Sequence, residues 1–522
     1  MPVLTVRRGT AVSQIEVPAK ATVLQGLQQG GVFPVEAPCG GNGTCGHCLV
    51  EVRGSVSAPG ARERSLLPPG EHRRLACLAL VEDDCEVILP SAEEHIAKES
   101  DEALFVPDGT GTGLGAAVDI GTTTVVLYLY ERLSGERLAV AGDRNAQCSF
   151  GADVISRIQY TMEQADGLER LRAAITEQLG ALLDEACISA GRRRDEVTAL
   201  FVAGNTVMLH LLVGLSPAGI AVAPFTPQSL FGDFRRATDV IPGLEPGAEM
   251  FLAPCISGYV GGDITAGLTS VRSLSAEKPI LFVDVGTNGE MAFGGKDGLI
   301  CCSTAAGPAF EGANLSCGMT ATEGAIHKVT VRNGGITCHV LGGGEAKGVC
   351  GSGLVDALAA LLQLGVVDET GRLLPSEEVP EEYASRMEGE GNGVRFLLAD
   401  KVWITAADIR KLQLAKAAIA AGIDTLLAEA HVSMDDLSAF YLAGGFGSFL
   451  DPESAAAIGL FPAELLPVLR VVGNSAGSGI SSALLSMDAR EEMMQIARMC
   501  SYLELSGMAE FNDRYMDHMM FE

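Results

Sequence analysis

"AAVDIGTTTVVLYLY", residues 116–130, is an apolar strand, an Asp-x-Gly-Thr turn and a second apolar strand. Such a turn suits phosphate. Its glycine lets backbone N–H groups face an anion, its threonine hydroxyl adds a donor, and its aspartate can hold Mg²⁺ directly or through water. One copy would say little, because Asp-x-Gly-Thr is a common turn. The pattern recurs in "ILFVDVGTNGEMAFG", residues 280–294, and Asp119 and Asp284 lie 165 residues apart. That spacing is the length of a domain and predicts a duplication. A third stretch, "FYLAGGFGSFL" at 440–450, runs an apolar strand into Gly444–Gly445–Phe446–Gly447. This turn can press flat against a nucleoside with no side chain intervening.

Together the three stretches resemble the phosphate-1, phosphate-2 and adenosine motifs of the acetate kinase, sugar kinase, heat-shock cognate and actin superfamily, over roughly residues 115–487. The resemblance implies two ribonuclease-H-like lobes that close over MgATP. It puts Asp119, Gly121, Thr122, Thr123, Asp284, Gly286, Thr287 and Asn288 at the phosphates and metal, and Gly444, Gly445 and Phe446 at the nucleoside. Glu290, two strand positions past Asn288, either orders the attacking water or holds Mg²⁺. The P-loop pattern G-x-x-x-x-G-K-[ST] does not occur in the sequence. Asp263, in "GYVGGDITAG", reads equally as a metal or water partner and as a helix cap.

A chain of 522 residues must split into several domains. Its formal charge of −29 excludes a nucleic-acid partner, since no phosphate-neutralising surface is available. The sequence holds no apolar run long enough to cross a bilayer, and "MPVLTVRRGT" lacks a secretory h-region. A cytoplasmic protein is expected, and in that reducing setting its fourteen cysteines point to metal or redox chemistry rather than disulfides.

"APCGGNGTCGHCLVEV", residues 37–52, spaces Cys39, Cys45 and Cys48 as C-x5-C-x2-C, with Cys77 and Cys85 following. Short zinc loops usually pair two C-x2-C knuckles, and only one exists here. The pattern resembles the plant-type [2Fe–2S] loop, C-x4-C-x2-C…C, with the one extra residue seen in adrenodoxin-like relatives. Gly40, Gly41, Gly43 and Gly46 would let backbone N–H groups approach inorganic sulfide. Cys77, on the apolar "LACLAL", is preferred as fourth ligand over Cys85, whose acidic neighbours raise a thiol pKa. "VLTVRR" and "SQIEVPA" read as a hairpin and "TVLQGLQQGG" as a short helix, the opening of a β-grasp ferredoxin.

The expected fold is therefore α/β and multidomain. It comprises a ferredoxin domain at 1–91, a linker at 92–115, ATPase lobes at 116–276 and 277–487, and a helical tail at 488–522. An electron carrier fused to an ATPase makes sense where the electron must travel uphill. A plant-type cluster lies near about −400 mV, and cobalt(II) in a corrinoid is among the few acceptors lower still. "GADVISRI", "GNTVMLHLL", "PFTP", "STAAGPAFEGA", "DIRKLQLAKAAI" and "LAGGFGSFL" resemble the ATPase domain of the reductive activators of corrinoid proteins. That resemblance implies a [2Fe–2S] cluster on Cys39, Cys45, Cys48 and Cys77, with ATP and Mg²⁺ as further cofactors. A low-potential electron donor and a corrinoid protein in a methyltransferase system are the implied partners. No membrane partner is expected, and a homodimer stays open. Some members carry an extra domain after the linker, for which residues 92–115 leave no room. The competing readings are an ATP-driven donor to another low-potential metalloenzyme, a redox-sensing small-molecule kinase, and a scaffold with a structural cluster.

Overall fold

The computed structural model describes every residue except 9–10, 31–34, 36, 38, 47, 68–70, 90–104, 110, 390, 445–449 and 522. Most of the expected linker thus lies outside the described residues. The chain forms two compact units, Met1–Ala92 with Gly109–Ala253, and Glu93–Asp108 with Pro254–Glu522.

The first unit opens with a hairpin, β1 (Val3–Arg8) and β2 (Ala11–Glu16). Helix α1 (Val23–Gln29) follows, started by a reciprocal cap in which the Thr22 hydroxyl accepts from the Gln25 amide and the Gln25 side chain accepts from Thr22 N–H. Then come β3 (Leu49–Val56), α2 (Ala61–Leu66), β4 (Arg74–Leu75) and β5 (Val81–Leu89). The sheet order is β2-β1-β5-β3-β4, with β1 parallel to β5. Leu4, Val6, Leu24, Leu27, Val50 and Val87 fill the space between α1 and this sheet. This is the ferredoxin-like β-grasp.

The same unit continues with β6 (Leu114–Ile120), β7 (Thr124–Glu131), β8 (Glu136–Arg144), α3 (Val154–Glu163), α4 (Gly167–Ser189), β9 (Val197–Gly204), α5 (Thr206–Val213), β10 (Phe234–Arg236) and β11 (Glu249–Leu252). They build a sheet of order β10-β11-β9-β6-β7-β8. Strands β6 and β9 run parallel and are buried along nearly their whole length, which is why they read as unbroken apolar runs. Leu114 and Gly115, expected in the linker, already belong to β6.

The second unit holds α6 (Gly262–Ser270), β12 (Ile280–Val285), β13 (Gly289–Gly295), β14 (Gly298–Thr304), a small sheet of β15 (Ala325–Arg332), β16 (Gly335–Val340) and β17 (Gly348–Val349), and α7 (Gly351–Gln363). After α8 (Glu381–Ala384) another small sheet forms from β18 (Met387–Glu388), β19 (Arg395–Ala399) and β20 (Val402–Thr405). Then follow α9 (Ala406–Ala430), β21 (Ala439–Ala443), α10 (Pro452–Ala457), β22 (Leu469–Val471), α11 (Ser475–Leu485), α12 (Met487–Met499), β23 (Cys500–Tyr502) and α13 (Ala509–Asp517). The main sheet runs β22-β21-β12-β13-β14-β23. In both units the Asp-x-Gly-Thr hairpin leads into an antiparallel meander, while two later strands run parallel on the hairpin's other side. The duplication read from the motifs is thus a duplication of the sheet.

Three details differ from expectation. Residues 254–276, grouped by sequence with the first lobe, pack in the second unit. The cause is a small-residue contact between α6 and α11, where a Cβ on Gly479 would stand 1.8 Å from Ala266 O. In the linker, Phe105 is buried beneath the Arg272 guanidinium, and Asp108 accepts from Met487 N at 2.7 Å. The tail is not purely helical, since β23 extends the sheet parallel to β14.

Candidate functional site

The cysteine loop lies between α1 and β3. Cys45 Sγ stands 3.3 Å from Cys39 Sγ, and Cys48 Sγ stands 3.3 Å from Cys77 Sγ. The second pair is fixed by β3 and β4, where Ala76 N donates to Cys48 O at 2.7 Å and Leu49 faces Leu75. Glu63 locks that strand from behind, accepting from Arg74 Nε and Leu75 N, both at 2.9 Å. The loop turns on Gly40, Gly41, Gly43 and Gly46, with φ between +62° and +86°. A Cβ on Gly43 would also stand 2.8 Å from Leu78 Cδ2. Burial pushes the Cys39 thiol up, but hydrogen bonds from Thr44 and Cys45 outweigh it and bring the group down to about 6. The bond between Cys48 and Cys77 lowers the first thiol and raises the second. Cys85 lies apart on β5, facing Leu4, its thiol raised by burial and by Asp84. Two sulfur pairs fit two irons with two thiolates each. Among the described residues, no three His, Cys, Asp or Glu side chains are placed to hold a single metal ion.

The first Asp-x-Gly-Thr turn joins β6 to β7. Asp119 sits on β6 opposite Val126 and beside Ala203 of β9. Three successive carbonyls of the turn are held by the protein behind it. Gly121 O accepts from Asn145 Nδ2 at 2.8 Å, Thr123 O from Asn145 N at 2.8 Å, and Thr122 O from Arg157 Nη2 at 2.5 Å. Asn145 and Arg157 are fully buried. Neither was singled out from sequence; a lone arginine among the apolar positions of "GADVISRI" was the available signal.

The second turn joins β12 to β13. Gly286 N donates to Asn288 O at 2.9 Å, and Gly307 N donates to Thr287 O at 2.9 Å. The Thr287 hydroxyl donates to Glu311 Oε1 at 2.7 Å, another partner that sequence reading passed over. Asn288 Nδ2 donates to Glu290 Oε1 at 3.1 Å. Glu290 is the register partner of Asp284 and is buried. Burial, then the charges of Asp263 and Asp284, push its carboxyl well above the usual range. Asp263, in the first turn of α6, accepts from Ile264 N at 2.9 Å, and burial lifts it to about 6. The structure thus gathers Asp263, Asp284 and Glu290, although no three acidic groups meet at coordinating distance among the described residues. Gly444 closes this side, since a Cβ there would stand 2.4 Å from Val285 O and 2.8 Å from Asp284 Oδ1. In the first unit Gly204 has the same place, with its Cβ position 2.7 Å from Ile120 O. Gly445 and Phe446 lie outside the described residues. His210 is a buried core residue, its ring bonded to Thr206 O at 2.7 Å and to Gln228 N at 3.1 Å.

Three family descriptions match the chain. The 2Fe-2S iron-sulfur cluster binding domain covers residues 10–82, the RACo middle region 114–273, and the C-terminal ASKHA domain of RACo 278–522. The break between the last two matches, at residues 273–278, coincides with the boundary expected from sequence between 276 and 277. The corrinoid activation enzyme RamQ of Eubacterium limosum is 36% identical over 418 residues, covering 78% of this chain and 70% of that protein. A [Co(II) methylated amine-specific corrinoid protein] reductase of Methanosarcina barkeri is 25% identical over 435 residues, covering 77% and 76%. Among solved structures, a reductive activator for corrinoid, iron-sulfur protein superposes with a TM-score of 0.71 at 31% identity, covering 100% of this chain and 98% of that one.

Proposed function

This chain belongs to the RACo family of corrinoid-activation enzymes, and from that premise we propose that it reduces cobalt(II) in a corrinoid protein to cobalt(I) at the expense of ATP. The observation that carries the reading is the coexistence in one chain of two close cysteine pairs and a duplicated phosphate-turn sheet. Cys39, Cys45, Cys48 and Cys77 would hold a [2Fe–2S] cluster. That group supplies single-electron transfer at low potential, fed by a low-potential donor. The glycines of the loop admit backbone to the sulfides, and the Glu63–Arg74 pair keeps the Cys77 side of the loop in place.

Each Asp-x-Gly-Thr turn would present backbone N–H groups to nucleotide phosphate, and in the first unit the turn's carbonyls are tied back by Asn145 and Arg157. Asp284 would hold Mg²⁺ directly or through water, and Asp119 takes the corresponding place on its own turn. Glu290 would orient the attacking water or help to hold Mg²⁺. ATP then supplies what the uphill electron lacks, through preferential binding of one corrinoid state. The fourteen cysteines form no disulfide, which suits a reducing cytoplasm. No described helix is long and apolar enough to cross a membrane.

Paired variants test this assignment. Asp284→Ala should abolish ATP-dependent cobalt(I) formation with the cluster's absorption intact. Cys45→Ser should lose that absorption and retain ATP hydrolysis. Activation at the wild-type rate by both variants would refute it.

A further inference from the structure

We propose that Arg157 is a positioning residue that couples the first phosphate turn to the seat on which the cysteine-loop domain rests. The inference rests on the reading above that the Gly121–Thr123 turn receives phosphate. Arg157 is fully buried, and its guanidinium spans two pieces of backbone. Nη2 donates to Thr122 O at 2.5 Å in the phosphate turn, and Nε donates to Gly151 O at 3.0 Å. Nη1 lies 3.0 Å from Met208 Sδ, and Nη2 lies 3.2 Å from Cys148 Sγ. A planar fork of donors ties several acceptors rigidly, which a lysine's single ammonium cannot do. Burying a guanidinium is costly, and here the cost is met by holding together two segments that touch different partners.

The second segment, the short turn Ala146–Ser149 with Phe150 and Gly151, carries the ferredoxin-like sheet's helix and loop. Gln28 of α1 donates through Nε2 to Ser149 O at 2.7 Å, and Ser149 Oγ donates to Val35 O at 3.3 Å. Phe150 O lies 3.0 Å from where a Cβ on Gly40 would stand, one residue from Cys39. Beside this contact a cavity of about 190 Å³ is lined by Cys39, Gly40 and Asn42 on one wall and by Phe150, Ser156 and Tyr160 on the other. A shift of Thr122 O on phosphate binding therefore pulls the guanidinium, the guanidinium pulls Gly151, and the seat of the Cys39 loop moves with it. The coupling runs through hydrogen bonds and, at its last step, the close approach of Phe150 O to Gly40, all inside one compact unit.

The test is hydrogen–deuterium exchange on the full, cluster-loaded chain, with and without Mg²⁺ and a non-hydrolysable ATP analogue. Peptides spanning residues 37–48 and 146–151 are followed. In the wild type the analogue should change exchange in both peptides by about fivefold or more, the low end of measured couplings. At analogue concentrations that saturate it by calorimetry, Arg157→Lys should keep the cluster's absorption but lose the response at 37–48. Gln28→Ala, which touches only the seat, should reduce the 37–48 response while leaving that at 146–151. A wild-type response in Arg157→Lys would overturn the proposal, as would an unresponsive wild type that binds the analogue. If Arg157→Lys does not fold, Gln28→Ala decides, and an unaltered response at 37–48 overturns it. Absence of analogue binding to the wild type by calorimetry would refute the phosphate-turn reading itself, and the inference with it.

Discussion

Glu290→Gln removes one of the three acidic groups gathered in the second unit while keeping the oxygen that accepts from Asn288 Nδ2. Asp284 and Glu290 are register partners on adjacent antiparallel strands, which sets their Cβ atoms about 5 Å apart. Their carboxylates extend beyond Cβ, and two like charges about 5–7 Å apart at an effective dielectric of about 20 repel by about 2–3 kcal/mol. Asp263 adds to that repulsion. Part of it is relieved in the wild type by proton uptake, so in metal-free buffer the variant should be more stable by about 1–2 kcal/mol. For a unit of this size that is a rise of about 2–8 °C in its melting temperature. The order reverses with Mg²⁺. At a hundred times its dissociation constant a bound ion adds about 2.7 kcal/mol, most of which the variant forgoes. Scanning calorimetry of the full chain in EDTA and in excess MgCl₂ measures both effects. A variant that melts below the wild type in EDTA and shows an undiminished Mg²⁺ shift would show that these carboxyls neither repel one another nor share an ion.

Two further outcomes follow from the geometry. Glu63 is buried, and although burial raises its carboxyl, the Arg74 and Leu75 hydrogen bonds hold it below its ordinary 4.5. Its contribution is therefore complete above about pH 4.5 and is lost as pH falls through the lower folded value. Glu63→Gln should destabilise the ferredoxin-like domain by about 2–4 kcal/mol at pH 7 and flatten its acid loss, as read by urea titration of cluster absorption between pH 3 and 7. Gly444→Ala places a methyl 2.4 Å from Val285 O at a φ of +101°. It should cost about 2–4 kcal/mol and abolish nucleotide binding by calorimetry, whereas Gly60→Ala, with nothing within 4 Å, should be silent.

The sheet duplication was legible because each Asp-x-Gly-Thr turn is flanked by strands whose two faces are buried, and such strands must be apolar throughout. The glycine-rich cysteine loop announced its own conformation, since each of its four glycines adopts a positive φ. What stayed hidden depends on contacts between distant residues. Arg157 reaches Thr122 and Glu311 reaches Thr287 across 35 and 24 positions, and neither side chain lies in a turn motif. The grouping of 254–276 with the second unit rests on helix faces of glycine, alanine and serine, whose close packing no periodicity reveals. The three-residue strand Cys500–Tyr502 is too short to show alternation. Phe105 gave no sign in the charged linker that it would be buried under Arg272.

That ATP drives an electron from the cysteine loop to cobalt is the proposal on which the function rests. It is tested most directly by anaerobic absorption spectroscopy of a cobalt(II) corrinoid protein mixed with the cluster-loaded chain and a chemical reductant, with and without MgATP. The cobalt(I) spectrum should appear only with MgATP. Cobalt(I) forming equally fast without nucleotide would contradict it, as would none forming with any of several corrinoid proteins while the cluster and ATP hydrolysis are intact.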